Sequence, residues 1–522
     1  MAADSPIYNE LNKSWKTTCR ILLGDEIGEL KDFEGWLKEY HPNIVKKKSY
    51  ISDKDVTFAR PEYCKGARFI SLDEVREKAI EPLTINDVKD IDSVVEAVSE
   101  RIEYVGNKVL GNSSHVESSD NVIDSQYVMD SANIQHSSNV FSSFYATEGS
   151  KHVFGGNWVG KSEFIVKSAG YNCGRLWETS FMDGSSDAYF SYCCLNCSDI
   201  MFSFSQRNKR NMIGNLQLTK DRYLELKGKL LSEIREDMKR DKTFPSMYEM
   251  VKGQKPNAQL SLPKKTVKED MGPIESAFSS TFKVLFKKEI KGIQEYRDWL
   301  SRHFIKTDEI TTIFGTKTYR TDVSIGECRV YPDDRIVTQD ESLELAKLHL
   351  DGSEINSMDG IRANLGRIAF FAGDFTERAD NAIRCAIGFH VSNIYDTADG
   401  NFADYCGVNM SLIRCKYAFG SNRLSDSEFC IDCYHSFNLK RCFELDNCRN
   451  CSDSYFAHNC EGLADTMFCF NAKSKRYAIG NNEMIKEKYT PLKDELVQQM
   501  ADEILRNKEL KWDIYNIGCA KR

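Results

Sequence analysis

No stretch of this 522-residue chain approaches the run of about 18 apolar residues that a membrane-spanning helix needs. The start, Met1-Ala2-Ala3-Asp4-Ser5, lacks a basic segment followed by an apolar one, so neither a signal peptide nor a membrane partner is expected. A strong charge of one sign is missing too. The net charge of -8 is spread over mixed acids and bases, which gives no electrostatic case for nucleic acid or anionic lipid. There is no glycine-rich phosphate loop, no Ser-His-Asp arrangement and no HExxH sequence. Proline is scarce, and four of the ten prolines (Pro245, Pro256, Pro263, Pro273) crowd into residues 242–276, which read as a linker. What remains is 41% hydrophobic and 28% charged, the balance of a folded protein long enough for two or more domains.

The chain contains itself twice. Ser186-Asp187-Ala188-Tyr189-Phe190 returns as Ser452-Asp453-Ser454-Tyr455-Phe456, an offset of 266 that holds through Lys209-Arg210 and Lys475-Arg476 to Tyr223 and Tyr489. Near the start of each copy the offset is 263: Glu26-Ile27, Phe33 and Trp36-Leu37 match Glu289-Ile290, Tyr296 and Trp299-Leu300. Helical spacing of Ile27, Leu30, Phe33 and Leu37 predicts a short helix early in each copy. Strand-like runs follow at Val56-Thr57-Phe58 and Arg68-Phe69-Ile70, then a helix around Ile85–Val105. An amphipathic helix closes each copy, with Tyr223, Leu226, Leu230, Ile234 and Met238 answered by Tyr489, Leu492, Leu496, Met500 and Ile504. Thr490-Pro491 reads as its N-cap and first residue in the second copy.

Inside each copy runs a second repeat. Val116, Val122, Val128, Ile134 and Val140 stand six apart, and Ser119, Ser125, Ser131, Ser137 and Ser143 keep the same beat three residues later. In the second copy the small-residue column is largely cysteine: Cys430, Ser436, Cys442, Cys448, Ser454, Cys460. A six-residue period is the pattern of a parallel β-solenoid, with small residues where coils approach and aliphatics filling a narrow interior. Exposed strand edges at the ends of such a stack need covers.

The predicted fold class is therefore α+β, as two tandem duplicated lobes, each a six-residue-period parallel β-solenoid capped by a small α/β section and a C-terminal amphipathic helix. The predicted boundaries are an N-terminal extension 1–17, lobe 1 at 18–241 (cap 18–110, solenoid 111–215, closing helix 219–241), and the linker 242–276. Lobe 2 spans 277–509 (cap 277–380, solenoid 381–481, closing helix 485–509), and 510–522 form a tail.

The 18 cysteines are expected to be reduced thiols used as small apolar side chains in a cytoplasmic protein, or one within a particle assembled inside the cell. Paired spacings such as Cys430-x-x-Cys433 and Cys448-x-x-Cys451 resemble zinc knuckles. A three-residue spacing also follows from the hexad columns alone, and Cys197 is matched by Leu463 rather than by a second ligand. No cofactor is expected; zinc on Cys430, Cys433, Cys448 and Cys451 is the alternative. His115, His136, His152, His390, His435 and His458 are unduplicated and read as solvated coil residues. The polar residues kept in both copies are Asp187/Asp453, Asp199/Asp465 and the pairs Lys209-Arg210 and Lys475-Arg476. The basic pairs are the candidate site for an anion or a partner's carboxylate.

The run Cys430–Cys469, then Phe470, Lys475-Arg476-Tyr477-Ala478-Ile479-Gly480-Asn481 and Lys488-Tyr489, resembles an uncharacterised group of cysteine-rich hexad-repeat proteins. These are predicted from the sequences of archaea, candidate-phylum bacteria and their phages. Members carry a CxxC-studded run, then F-G-C, N-K-x-Y-C-I-x-N and K-E-x-Y. This chain departs at Asn471, Ala472 and Ala478, where the group has glycine, cysteine and cysteine. The resemblance covers about the last third of each copy, agrees with a solenoid and implies no chemistry. The expectation is a non-enzymatic scaffold assembling with protein partners or with itself. The alternatives are acyl or nucleotidyl transfer in a lobe–lobe groove and zinc-dependent nucleic-acid binding.

Overall fold

The computed structural model describes the chain except residues 1–4, 41–43, 60–61, 76–88, 257, 261, 263–268, 304–305, 322–330, 409–414, 417, 421–427, 429, 432–439, 445, 447–451 and 520–522. It is a mixed α+β structure dominated by parallel strands in long sheets.

In the first copy the strands alternate between two sheets, one of ten strands and one of seven. Val116, Val128 and Val140 are successive partners in one sheet, a step of twelve residues; Val122 and Ile134 pair in the other. The step stretches to thirteen between Val140 and Val153 and shrinks to eleven between Ile165 and Leu176. Successive hexads therefore belong to opposite sheets, and hexads one period further on stack. All of these pairings are parallel except the last, where Arg210–Ile213 turns back through Gly214-Asn215 onto Leu216–Gln217.

The backbone explains the beat. Every third residue from His115 to Tyr145 lies in the left-handed region, with φ between +47° and +63°. An L-residue there costs about 1–2 kcal/mol, least for asparagine and aspartate, which occupy several of these corners. Replacing the exposed corner residue Asn196 (φ +52°) by valine is thus expected to cost about 1–2 kcal/mol in urea unfolding, and by glycine almost nothing. Aromatic rings at such corners recover part of the cost by stacking on the next coil. His152 lies on Phe164 at 4.8 Å and 2°, Phe190 on Phe202 at 5.0 Å and 5°, Phe456 on Phe468 at 5.0 Å and 9°.

Between corners, side chains alternate inward and outward. The inward aliphatics Val122, Val128, Ile134, Val140 and Val153 are fully buried. The inward serines form ladders: Ser131 Oγ donates to the Met129 carbonyl at 2.8 Å and accepts from the Ser143 N–H at 3.0 Å. Removing that hydroxyl leaves the buried Ser143 N–H without its acceptor, while the Met129 carbonyl still accepts from the Ser142 N–H at 3.1 Å. Ser131→Ala should cost about 1–3 kcal/mol by chemical denaturation, and Ser131→Cys distinctly less.

Outward residues on one face, Met129, Phe141, Phe154, Val166, Trp177, Tyr189, Met201 and Ile213, are buried under helices. One is Pro6–Leu23, begun by the Ser5 cap with proline at its first position and stopped by Gly24 at φ +84°. The other is the closing helix Lys220–Asp241, capped by Thr219. In the second copy Gly272–Phe286 and Lys486–Asn507 share a core with the ladder Tyr395, Phe419, Ile431, Phe443, Tyr455, Met467 and Ile479.

Five expectations need correction. Residues 6–17 are not an extension, since Tyr8, Leu11 and Trp15 belong to the first core. Residues 510–519 are not a free tail: Leu510, Ile514, Tyr515 and Ile517 are buried in the second core. The linker holds a helix, Met247–Val251, packed in the first core. The closing helix of the second copy, expected at 485–509, runs Lys486–Asn507, but Thr490 is not its N-cap: Pro491 lies inside the helix, and Thr490 Oγ1 donates to the Lys486 carbonyl. The region expected as a helix around Ile85–Val105 contains Ile91–Ser99, then strand Tyr104–Gly106.

The two halves cover each other's sheet ends. At the end of the first stack, Leu350 N–H donates to the Gly214 carbonyl, Asn215 Nδ2 to the Leu348 carbonyl and Tyr192 Oη to the Ala372 carbonyl. At the end of the second, Val105 N–H donates to His458 Nε2 at 3.0 Å and Asn471 Nδ2 to the Glu103 carbonyl. Residues 331–375 thus lie against the end of the first stack, and Val56, Phe58, Val94, Val98, Ile102 and Tyr104 share the core at the end of the second.

Candidate functional site

Among the expected site residues, Lys209-Arg210 and Lys475-Arg476 stand where the last parallel strands begin, Arg210–Ile213 and Arg476–Ile479, at the ends of two separate sheets. Lys209 and both arginines are exposed. The Arg476 guanidinium lies 4.9 Å from the Tyr477 ring, and Lys475 Nζ is 3.9 Å from Glu483. Among the described residues these contacts dress a coil end and bring the two basic pairs to no common pocket. Of the proposed zinc ligands, Cys430 is buried in the interior column, while Cys433, Cys448 and Cys451 lie outside the described residues.

The described interior cysteines take the place of serines. Cys194 Sγ donates to the Tyr192 carbonyl at 3.4 Å and Cys460 Sγ to the His458 carbonyl at 3.2 Å, the bond a serine hydroxyl makes two residues back. Burial pushes the Cys193 thiol up to about 11 and the Cys173 thiol up to about 12, so both stay protonated. The thiols of Cys64 and Cys519 differ: they form a disulfide across 455 residues, which corrects the expectation of reduced cysteines throughout.

His458 is also corrected. It is fully buried rather than solvated. Because Nε2 accepts from Val105, Nδ1 carries the proton and donates to Asp446 at 2.6 Å. Tyr192, its match in the first copy, makes the corresponding cross-junction bond. The position ties the halves together.

Two polar clusters recur in both copies between the coils and the closing segments. In the first, Lys227 Nζ sits 5.1 Å and 5.7 Å from the rings of Tyr189 and Tyr223 and 3.7 Å from Asp199. Lys493 repeats this with Tyr455 and Tyr489 at 5.4 Å and 5.9 Å and Asp465 at 3.6 Å. Asp187, one coil before Asp199, takes a two-point bond from Arg175 at 2.7 Å and 2.6 Å. Burial first, then these aspartates, raises the hydroxyl pKa of both Tyr223 and Tyr489. This seam fastens the closing helix to the last coils through cation–π and charge contacts.

The second cluster centres on a buried glutamate, Glu178 in one copy and Glu444 in the other, again 266 apart. Glu178 accepts from Tyr40 Oη at 3.1 Å and lies 3.4 Å from Lys167 Nζ, which is itself buried over the rings of Trp36 and Tyr40. Glu444 accepts from Ile514 N–H at 3.0 Å and from Arg302 Nη2 at 2.9 Å. Charge balance is kept by different elements, a coil corner in the first copy and the early helical turn in the second. The repeat pattern did not flag these glutamates; their retention at one offset was the available signal.

Near Glu444, His303 Nε2 lies 3.3 Å from Asp513, and ligand atoms of His303, Glu444 and Asp513 fall within 4.8 Å of one another. Arg302 already bonds Glu444 and stands 4.0 Å from Asp513, so a metal ion would have to compete with a fixed positive charge. The donor set suits an ion-pair network better. A shallow depression of about 400 Å³ lies between the closing helix of the first copy and the helix Met358–Asn364 of the second. Its acids are already engaged: Asp237 pairs with Arg362 at 2.9 Å and Glu233 accepts from Met358 N–H at 2.7 Å.

No protein family, curated protein or solved structure matches this chain. Among the described residues no helix is long and apolar enough to cross a membrane.

Proposed function

We propose that the chain is a non-enzymatic scaffold: two duplicated β-solenoid lobes of about twelve residues per coil, closed on each other and offering their side faces to protein partners. The mutual covering of sheet ends carries this reading. Covered ends block growth by strand addition, so association must use the flanks. On one flank the corner residues Glu148, Lys161, Asn172, Asn196 and Asn208 are exposed in register along the first stack. Solenoids present such regular surfaces to elongated partners. The polar clusters support the same reading, since each fastens a helix or closing segment to coils. The transfer alternative calls for a pocket where free titratable groups of both copies meet; in the depression above they are paired.

Native mass measurement and cross-linking of complexes taken from the source cell test the proposal. Complexes cross-linked through the flank corners, weakened by Lys161→Glu with Asn196→Asp at unchanged melting temperature, are expected. A strictly monomeric chain without cross-linked partners overturns it.

A further inference from the structure

The two junctions of this frame are joined differently. At the first, the chain runs on from helix Lys220–Asp241: Phe244, Met247, Tyr248 and Val251 are buried, Trp36 Nε1 donates to the Phe244 carbonyl, and Arg335 binds the Gln254 carbonyl. The peptide then continues into the second copy. At the second junction, helix Lys486–Asn507 is followed by Leu510, Ile514, Tyr515 and Ile517 in the corresponding place, with Arg302 donating to the Leu510 and Trp512 carbonyls. Because the second copy follows the first along the chain, no linking peptide leads from this junction into the first copy. Instead Cys519 is bonded to Cys64, beside strand Phe69–Ser71 of that copy. A disulfide stands where the other junction has a linker.

We propose that the Cys64–Cys519 disulfide is a reversible latch that closes the second junction, holding residues 510–519 against the end of the second stack and releasing them on reduction. The pair is placed for exchange: both cysteines are partly exposed, while the other eleven cysteines whose side chains are described are buried. Thiol–disulfide exchange needs an accessible sulfur, so among the cysteines whose side chains are described the chemistry falls to this pair. Closure takes two thiols and one low-molecular-weight disulfide of the glutathione class. One thiolate attacks it to give a mixed disulfide, and the second displaces the remaining thiol. One protein disulfide forms, two small thiols leave, and they carry the two protons. Reduction by a dithiol runs this in reverse.

After reduction the strap keeps its non-covalent bonds: Ile514 N–H to Glu444, Tyr104 Oη to the Ile514 carbonyl, and Asp513 to His303. The reduced chain therefore stays folded, and its strap opens more often. With the rest of the chain folded, the cross-link closes only the short strap between the helix end at Asn507 and Cys519, so losing it should raise the open fraction by roughly a hundredfold.

Hydrogen exchange on the full chain, equilibrated with oxidised glutathione or with a dithiol, tests this alongside a non-reducing peptide map. The map is expected to show the Cys64 and Cys519 peptides joined. Protection of 510–519 should fall by roughly a hundredfold on reduction and in Cys64→Ser, with residues 244–251 of the first junction unchanged. Absence of the joined peptide after oxidation, or equal strap protection in both states, overturns the latch. Neither readout depends on a partner, so the scaffold reading stands or falls separately.

Discussion

Removing residues 1–17 is expected to abolish the soluble folded state. Sequence spacing alone assigns this stretch to an extension, yet it supplies most of the helix Pro6–Leu23. Trp15 lies 5.3 Å from the Phe154 ring, 5.4 Å from Phe33 and 6.3 Å from Trp177. Burying a large apolar side chain is worth about 1.5–3 kcal/mol, so losing Tyr8, Leu11 and Trp15 removes roughly 5–9 kcal/mol. That is comparable with the roughly 5–15 kcal/mol that holds a whole fold. The deletion also uncovers the outward ladder Met129, Phe141, Phe154, Val166 and Trp177, a continuous apolar face prone to association. Soluble yield and thermal melting by circular dichroism check this. The single change Trp15→Ala should lower stability by about 3–5 kcal/mol. A truncated chain that melts cooperatively near the full-length temperature would refute the role given to the helix.

The second large effect is expected at Glu444. Removing its carboxylate in Glu444→Ala leaves Arg302, largely buried, without its main partner, at a cost of about 3–5 kcal/mol. Glu444→Gln keeps the shape and one acceptor and should cost much less. The two also differ in pH dependence. Burial, opposed by the charge of Arg302, pushes the Glu444 carboxyl up to about 8. A carboxyl raised in the folded state favours folding most below its ordinary range, and that contribution is lost as pH rises through about 8. Asp513 runs the other way. Despite its burial, His303 and Arg302 hold it below the ordinary range, so its contribution is lost only in acid. Between pH 5 and 9, roughly the span over which Glu444 ionises, the wild-type melting temperature should therefore fall. The fall should be flatter in Glu444→Gln. Parallel slopes in the two proteins would show that Glu444 is not the group responsible.

Much of the local structure was legible in the sequence because it is written in spacing. The closing helices show it: Leu226, Leu230, Ile234 and Met238 lie on one face at helical intervals, and their helix appears as Lys220–Asp241. The valines six apart become residues of two parallel sheets, paired at twelve, and the serines three residues on stand between the strands. Reading the CxxC spacing as a by-product of that beat agrees with Cys194, Cys197 and Cys460, whose sulfurs make the bonds of serine hydroxyls. The pair Lys209-Arg210 was drawn as a candidate by its retention; the structure gives it an exposed coil end and, among the described residues, no facing group from the other copy.

What the sequence determined by itself is the repeat, the duplication and the α+β class, since each follows from intervals between neighbouring residues. Only the tertiary structure decided which surfaces those intervals meet. Tyr8, Leu11 and Trp15 read as an extension until a ladder of outward side chains gave them a face to cover. His458 read as solvated until residues 103–105, more than 350 positions away, closed over it. Glu178 and Glu444 acquire their chemistry from cations on different elements, and Cys64 meets Cys519 across 455 residues. A period constrains what lies twelve residues along the chain. The closure of two halves on each other depends on shape and on groups hundreds of residues apart, where no local interval carries information.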